Sequence, residues 1–191
     1  GCLFMDAHCY NRDISKWDVS RVNDMHGMFT GAIEFNIDIS DWDVSNVRDM
    51  FGMFLDAQYF NGDISKWDVS NVHDMHSMFE KTKFFKGIFI SKWDVSSVTN
   101  MNAMFFQATS FNTDISKWDV SSVTNMDYMF QGAESFNQKL CGAAWVRSKA
   151  SKTSMFTGSS GSILRTVCSS RIMPASPYGS RRPIPGRELI V

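Results

Sequence analysis

The stretch "SKWDVSNVHDMHSMF", residues 65–79, recurs in close copies five times along the chain, and its tryptophan sets the phase of the whole sequence. Trp17, Trp42, Trp67, Trp93, Trp118 and Trp145 are separated by 25, 25, 26, 25 and 27 residues. Counting from each of the first five, Val stands at +2 and +5, Met at +8 and +11, and Phe at +12 and +18, without exception. Ala fills +15 except at Thr82. The unit therefore reads W-D-V-S-x-V-x-x-M-x-x-M-F-x-x-A-x-x-F-N-x-D-I-S-x. A fixed period of this size marks stacked repeats, because one unit cannot cover its own apolar face.

Two spacings alternate within the unit. From Ile39 through Trp42 to Val44 the β-branched and aromatic content predicts a short strand, with Trp42 and Val44 on one face and Asp43 and Ser45 on the other. Val47, Met50, Met53, Phe54 and Ala57 then recur at three and four residues. That spacing predicts a helical segment of about ten residues, capped by Ser45 or Asn46. The expected fold class is an α/β repeat solenoid: a leucine-rich-repeat-like stack of short parallel strands, each followed by a short helical segment.

Composition fits a chain with a core, since 43% of the 191 residues are hydrophobic and 20% charged. The formal net charge of -1 lacks the basic excess of a nucleic-acid binder, and no apolar run reaches the length of a membrane span. Cys2, Cys9, Cys141 and Cys168 lie only near the ends, so the repeats use neither a disulfide framework nor a periodic metal site.

Residues 1–157 are read as the repeat region: a partial N-terminal half-unit, five full units and one degenerate unit. "GCLFMDAHCYNRDIS" matches the second half of a unit, with Phe4 at the Met-Phe position, and suggests a fragment of a longer protein. "FNQKLCGAAWVRSKASKTSMF" keeps Phe136, Asn137, Trp145, Met155 and Phe156 but loses Asp-Val-Ser. Residues 158–191, with all four prolines and many Ser and Gly, are expected to form a flexible tail.

"FNGDISKWDVSNVHDMHSMF" and its sister segments closely resemble the BspA-like surface-protein repeats of about 25 residues, over roughly residues 3–140. The resemblance implies a divergent leucine-rich-repeat fold and a place on the cell surface or outside the cell, in adhesion. The implied partner is a protein, cell-surface or matrix ligand. Val22 and its equivalents stand where a standard leucine-rich repeat has its structural Asn. The nearest thing to an asparagine ladder is Asn11, Asn36, Asn61, Asn112 and Asn137, interrupted by Lys86.

The conspicuous residue types follow the repeat phase. The ten ladder methionines have the soft thioethers that Cu(I) favours, but their helical spacing beside Phe assigns them to the core. Asp18, Asp43, Asp68, Asp94 and Asp119 could align as a Ca²⁺ column; Lys16, Lys66, Lys92 and Lys117, two residues earlier, favour a neutralised Lys/Asp ladder instead. His73 and His76 have an acceptable ligand spacing but no recurring third ligand, and His26 shares the phase of His76. No nucleophile elbow, Walker A or HExxH pattern is present, so no catalytic residue, metal ligand or cofactor is assigned.

The expected function is a non-catalytic binding or adhesion module presenting Lys66, Asp68, Ser70 and their equivalents outward. The alternative is an intracellular protein-interaction scaffold. Unit three, "MFEKTKFFKGIFISKW", breaks the pattern with one extra residue, Thr82 for Ala and Lys86 for Asn. Local breaks in a consistent sequence are where function or strain is expected. Lys81, Lys83 and Lys86 around Phe89 are therefore the candidate binding site.

Overall fold

In a computed structural model, the described residues are 3–8, 12–88 and 90–168. The repeats lie on one another in parallel, one Trp-phased coil per rung. Single-residue parallel bridges run Asp24 to Asp49, Asp74, Asn100, Asn125 and Ser151. Regular secondary structure among the described residues is confined to a 3-10 turn at Ile90–Lys92, strand β1 (Lys139–Leu140), helix α1 (Ala143–Arg147) and strand β2 (Ser162–Ile163).

The expected α/β solenoid of stacked strands and helices is therefore not what forms. Residues 39–44 are irregular, and the segment expected to be helical, 47–57, is a bridge residue followed by consecutive turns. Neither Ser45 nor Asn46 caps a helix: the Ser45 hydroxyl donates to Asp43, and the Asn46 side chain donates to the Ser20 carbonyl of the preceding coil.

The reason lies in how the backbone amides are shared. Met53, Leu55, Ala57 and Phe60 donate to carbonyls three residues back, closing tight turns. Met50, Gly52, Phe54 and Asp56 instead donate to Asp74, His76, Met78 and Glu80 of the next coil, at 2.8–3.0 Å. The same four-bond register joins the Trp17, Trp67, Trp93 and Trp118 coils to their successors. An α-helix would use all these amides internally. Here half of them tie one coil to the next.

Alternating the amides requires a left-handed residue at fixed steps. Gly27, Gly52, Ser77, Ala103 and Tyr128 have positive φ, as do Gly31, Asp56, Lys81, Gln107 and Gly132 four residues later. A left-handed residue every fourth position keeps the Met-Phe-Ala spacing while preventing helical continuation. Non-glycine residues hold this conformation at a cost that the repeated packing must offset.

That packing is continuous. Phe29, Phe54, Phe79, Phe105, Phe130 and Phe156 form one column with ring centroids 5.5–5.7 Å apart, and Phe4 extends it toward the N-terminus. Phe35, Phe60, Phe85, Phe111 and Phe136 form a second, each ring stacked on its own coil's first phenylalanine. Each indole from Trp42 to Trp145 is buried and donates to the Ile carbonyl just ahead of the preceding tryptophan, Ile14, Ile39, Ile64, Ile90 or Ile115, at 3.0–3.2 Å. All ten ladder methionines are buried. Each large side chain so placed contributes about 1.5–3 kcal/mol by leaving water.

At the C-terminal end the repeat is replaced by other devices. Trp145 stays in its column although it sits on α1. Residues beyond 157, expected to be a flexible tail, lie against the stack as far as Cys168. The Ser160 and Ser162 amides donate to Phe136 and Gln138, β2 pairs in parallel with β1, and Cys168 is disulfide-bonded to Cys141. The remainder of the expected tail, 169–191, lies outside the described residues.

Candidate functional site

The outward corners are built from aspartates at fixed phase. In one unit Asp38, Asp43 and Asp49 each accept the amide two residues on, from Ser40, Ser45 and Phe51, at 2.8–3.0 Å. These are Asx turns, which reverse the chain without a helix or a hairpin. The Ser40 hydrogen bonds hold the Asp38 carboxyl below its ordinary range, and those of Ser45 do the same for Asp43, with burial and neighbouring charges as smaller influences. Asp13, Asp18, Asp63 and Asp94 are lowered in the same way by Ser15, Ser20, Ser65 and Ser96.

Asp68 and Ser70 belong to this framework: the Ser70 amide donates to Asp68 at 3.0 Å, so the pair forms a turn before it offers a ligand anything. Lys66 reaches across to the previous coil and pairs with Asp41 at 2.9 Å, not with an aspartate of the Asp68 column. The anticipated Lys/Asp ladder is reduced to this one pair, since Lys16, Lys92 and Lys117 make no ion pair among the described residues. Hydrogen bonding to Asp41 and its charge raise the Lys66 pKa. No group of three or more His, Cys, Asp or Glu able to hold a metal occurs among the described residues. His73 is exposed, while His26 meets Phe51 in an edge contact and His76 in a tilted one, centroids 4.4 and 4.7 Å away.

Unit three absorbs its extra residue between Phe85 and Ile90. Gly87 takes φ 65°, and an added Cβ there would stand 2.6 Å from the Phe111 ring. The Ile90 amide returns to the Gly87 carbonyl, and Ile90 enters the core where Ile64 and Ile115 sit in neighbouring units. Thr82, in place of Ala, is fully buried and satisfies its hydroxyl on the Phe79 carbonyl. Lys86 keeps half a rung of the asparagine ladder, because its backbone amide still donates to the Asn61 side chain. Asn61 and Asn137 donate likewise to Asn36 and Asn112; Asn11 lies outside the described residues.

The candidate lysines are only partly brought together. Lys81 and Lys83 line a shallow depression with Asp56, Gln58, Gln107 and Glu134, and Lys81 is paired with Glu80 at 3.6 Å. Lys86 lies beyond buried Phe85 and does not line it. Phe89, the expected aromatic anchor, lies outside the described residues. The aromatic surface that is described is Tyr59 stacked on Phe84, centroids 5.0 Å apart, with Ile88 also exposed. Sequence reading missed this pair, although the signal was available: at +17 from Trp the chain has Glu34, Tyr59, Phe84, Ser110 and Ser135, two aromatics at a position that otherwise takes polar residues.

A larger open groove of about 1050 Å³ lies at the C-terminal end, lined by Lys117, Trp118, Asp119, Arg147 and the Cys141–Cys168 disulfide among others. No helix is long and apolar enough to cross a membrane among the described residues.

No curated protein and no solved structure matches the chain. The model of the family described as "Mycoplasma protein of unknown function, DUF285" matches residues 2–89 and again residues 63–163, two overlapping registers over the stacked units. On that match, which spans all the Trp-phased coils, the chain belongs to this family of Mycoplasma proteins of unknown function.

Proposed function

We propose that this chain is a non-catalytic binding or adhesion module at the cell surface or outside the cell, of the BspA-like kind within the broader repeat family. The observation that carries the reading is the division of labour in each coil. Every ladder Trp after Trp17, every ladder Met, and every column Phe from Phe29 to Phe136 is buried. The outward corners are fixed by Asx turns that repeat along the stack. Such a body offers a rigid, regularly spaced surface on which single exposed positions can vary without disturbing the fold, which suits recognition of a macromolecule.

A second support is the Cys141–Cys168 disulfide, since such bonds persist in oxidising compartments. The ligand is a protein or a cell-surface or matrix component, with no cofactor and no nucleic acid. The test is surface labelling of intact cells that carry the complete gene, using a membrane-impermeant amine reagent and external protease. Labelling before lysis is expected. Labelling only after lysis would overturn the surface reading and favour an intracellular interaction scaffold.

A further inference from the structure

We propose that Tyr59 and Phe84, with the adjacent Lys83 and with Lys86 and Ile88 further along the same segment, form the contact surface for an acidic polypeptide partner that carries an apolar or aromatic side chain. The proposal rests on the binding-module reading and names its site and partner chemistry.

The apolar half is unusual for this molecule. Tyr59 and Phe84 are 53% and 50% exposed and Ile88 is 61% exposed, in coils that bury their Met, Trp and ladder Phe residues almost completely. The two rings are nearly parallel, at 14°. Each ring covers one face of the other and both remain half exposed, a rigid apolar shelf that suits an inserted side chain. Aromatic anchors of this kind dominate interface energetics.

The pair is held in advance. The Tyr59 amide donates to Ile33 and the Phe84 amide to Gln58, while the Thr109 hydroxyl donates to the Lys83 carbonyl. A partner would therefore meet a surface that is already ordered.

The charged half selects the sign of the partner. Of the nearby acids, Glu80 is held by the Ser77 hydroxyl and Lys81, Asp56 by the Gln58 side chain and Asp63 by the Ser65 amide, while Glu134, which lines the depression with Lys83, and Glu34, at the Tyr59 position one coil earlier, are exposed. Lys83 and Lys86 are exposed, and neither makes an ion pair among the described residues. Two unneutralised ammonium groups beside an apolar shelf complement carboxylates on a segment that also carries a side chain for the shelf.

The repeat itself supplies controls that the fold accepts. Ser110 and Ser135 occupy the position of Tyr59 and Phe84 in later coils, Thr109 that of Lys83, and Asn that of Lys86 elsewhere. The probe is a fluorescent random Glu/Tyr copolymer, run beside poly-Glu and a heparin oligosaccharide on the full chain. The Glu/Tyr copolymer is expected to bind best. Y59S/F84S should weaken it about tenfold or more and K83T/K86N by severalfold with loss of salt dependence, neither lowering the thermal midpoint. Equal binding by poly-Glu, preference for heparin, no binding of the copolymer, or binding indifferent to both variant pairs would each overturn the proposal. Surface labelling of intact cells is independent of these results, so this site can fail while the surface reading stands, and the reverse.

Discussion

The interior coils and the C-terminal closure solve the same problem by different means. Between Trp42 and Trp118 the described residues form no helix or strand beyond the short turn at Ile90–Lys92, yet the core there is among the best buried parts of the molecule. Order there comes from repetition: each coil receives backbone and indole hydrogen bonds at the same register as its neighbours and stacks its rings on theirs. Between Lys139 and Cys168 the repeat loses Asp-Val-Ser, and conventional elements appear: α1, the β1–β2 pair and a disulfide. Where neighbouring coils no longer supply partners for every column, a helix satisfies its own backbone and a covalent bond holds the returning chain.

The largest expected effect breaks the interior. Trp67→Ala removes a buried ring and its bond to the Ile39 carbonyl, and should cost about 3–5 kcal/mol in chemical denaturation. Trp17 is 43% exposed, so Trp17→Ala should cost less than about half as much. Equal costs would mean that columns, and coupling along them, do not determine stability.

Next comes the closure. Cys141→Ala/Cys168→Ala opens a loop with a sequence separation of 27, for which chain entropy predicts a loss of about 3–4 kcal/mol. The loss should be local: limited proteolysis would cut within residues 158–168 first and leave the earlier coils resistant. Simultaneous cleavage throughout would show that closure and coils are one cooperative unit.

A smaller effect sharpens the contrast within the coils. Lys86→Asn restores the missing side-chain acceptor, letting the Asn112 amide find the partner that Asn61 and Asn137 find in their coils. A gain of about 0.5–1 kcal/mol is expected. A loss would show that Lys86 contributes something the ladder does not.

The smallest effect concerns the corners. Asp13, Asp18, Asp38, Asp43, Asp63 and Asp94 have carboxyl pKa values lowered chiefly by serine hydrogen bonds. A lowered folded-state pKa gives stability that is fully present above the unfolded value, near 3.9, and is lost as pH falls through the folded one. The denaturation midpoint should therefore be flat above about pH 5 and decline below about pH 4. Asp43→Asn, which keeps the acceptor, should weaken that decline. An unchanged acid limb would remove these turns from the account.

The sequence by itself determined the period, the columns and their burial. Trp phase, ten methionines and paired phenylalanines state which side chains lie above one another, and each such column after Trp17 is buried where the pattern places it. It also marked unit three as the irregular coil, though the anchor expected at Phe89 lies outside the described residues and the exposed pair is Tyr59 with Phe84. Only the tertiary structure decided how the backbone runs. Apolar residues three and four apart suit a helix equally well as turns with a left-handed residue every fourth position, since both return the same side chains to one face. What separates the two is where the amides of Met50, Gly52, Phe54 and Asp56 find acceptors, and those acceptors lie a full repeat away in the chain. The Cys141–Cys168 pairing was likewise set by proximity that four scattered cysteines do not encode. Side-chain periodicity reports which residues share a face; hydrogen-bond partners become visible only once the coils are stacked.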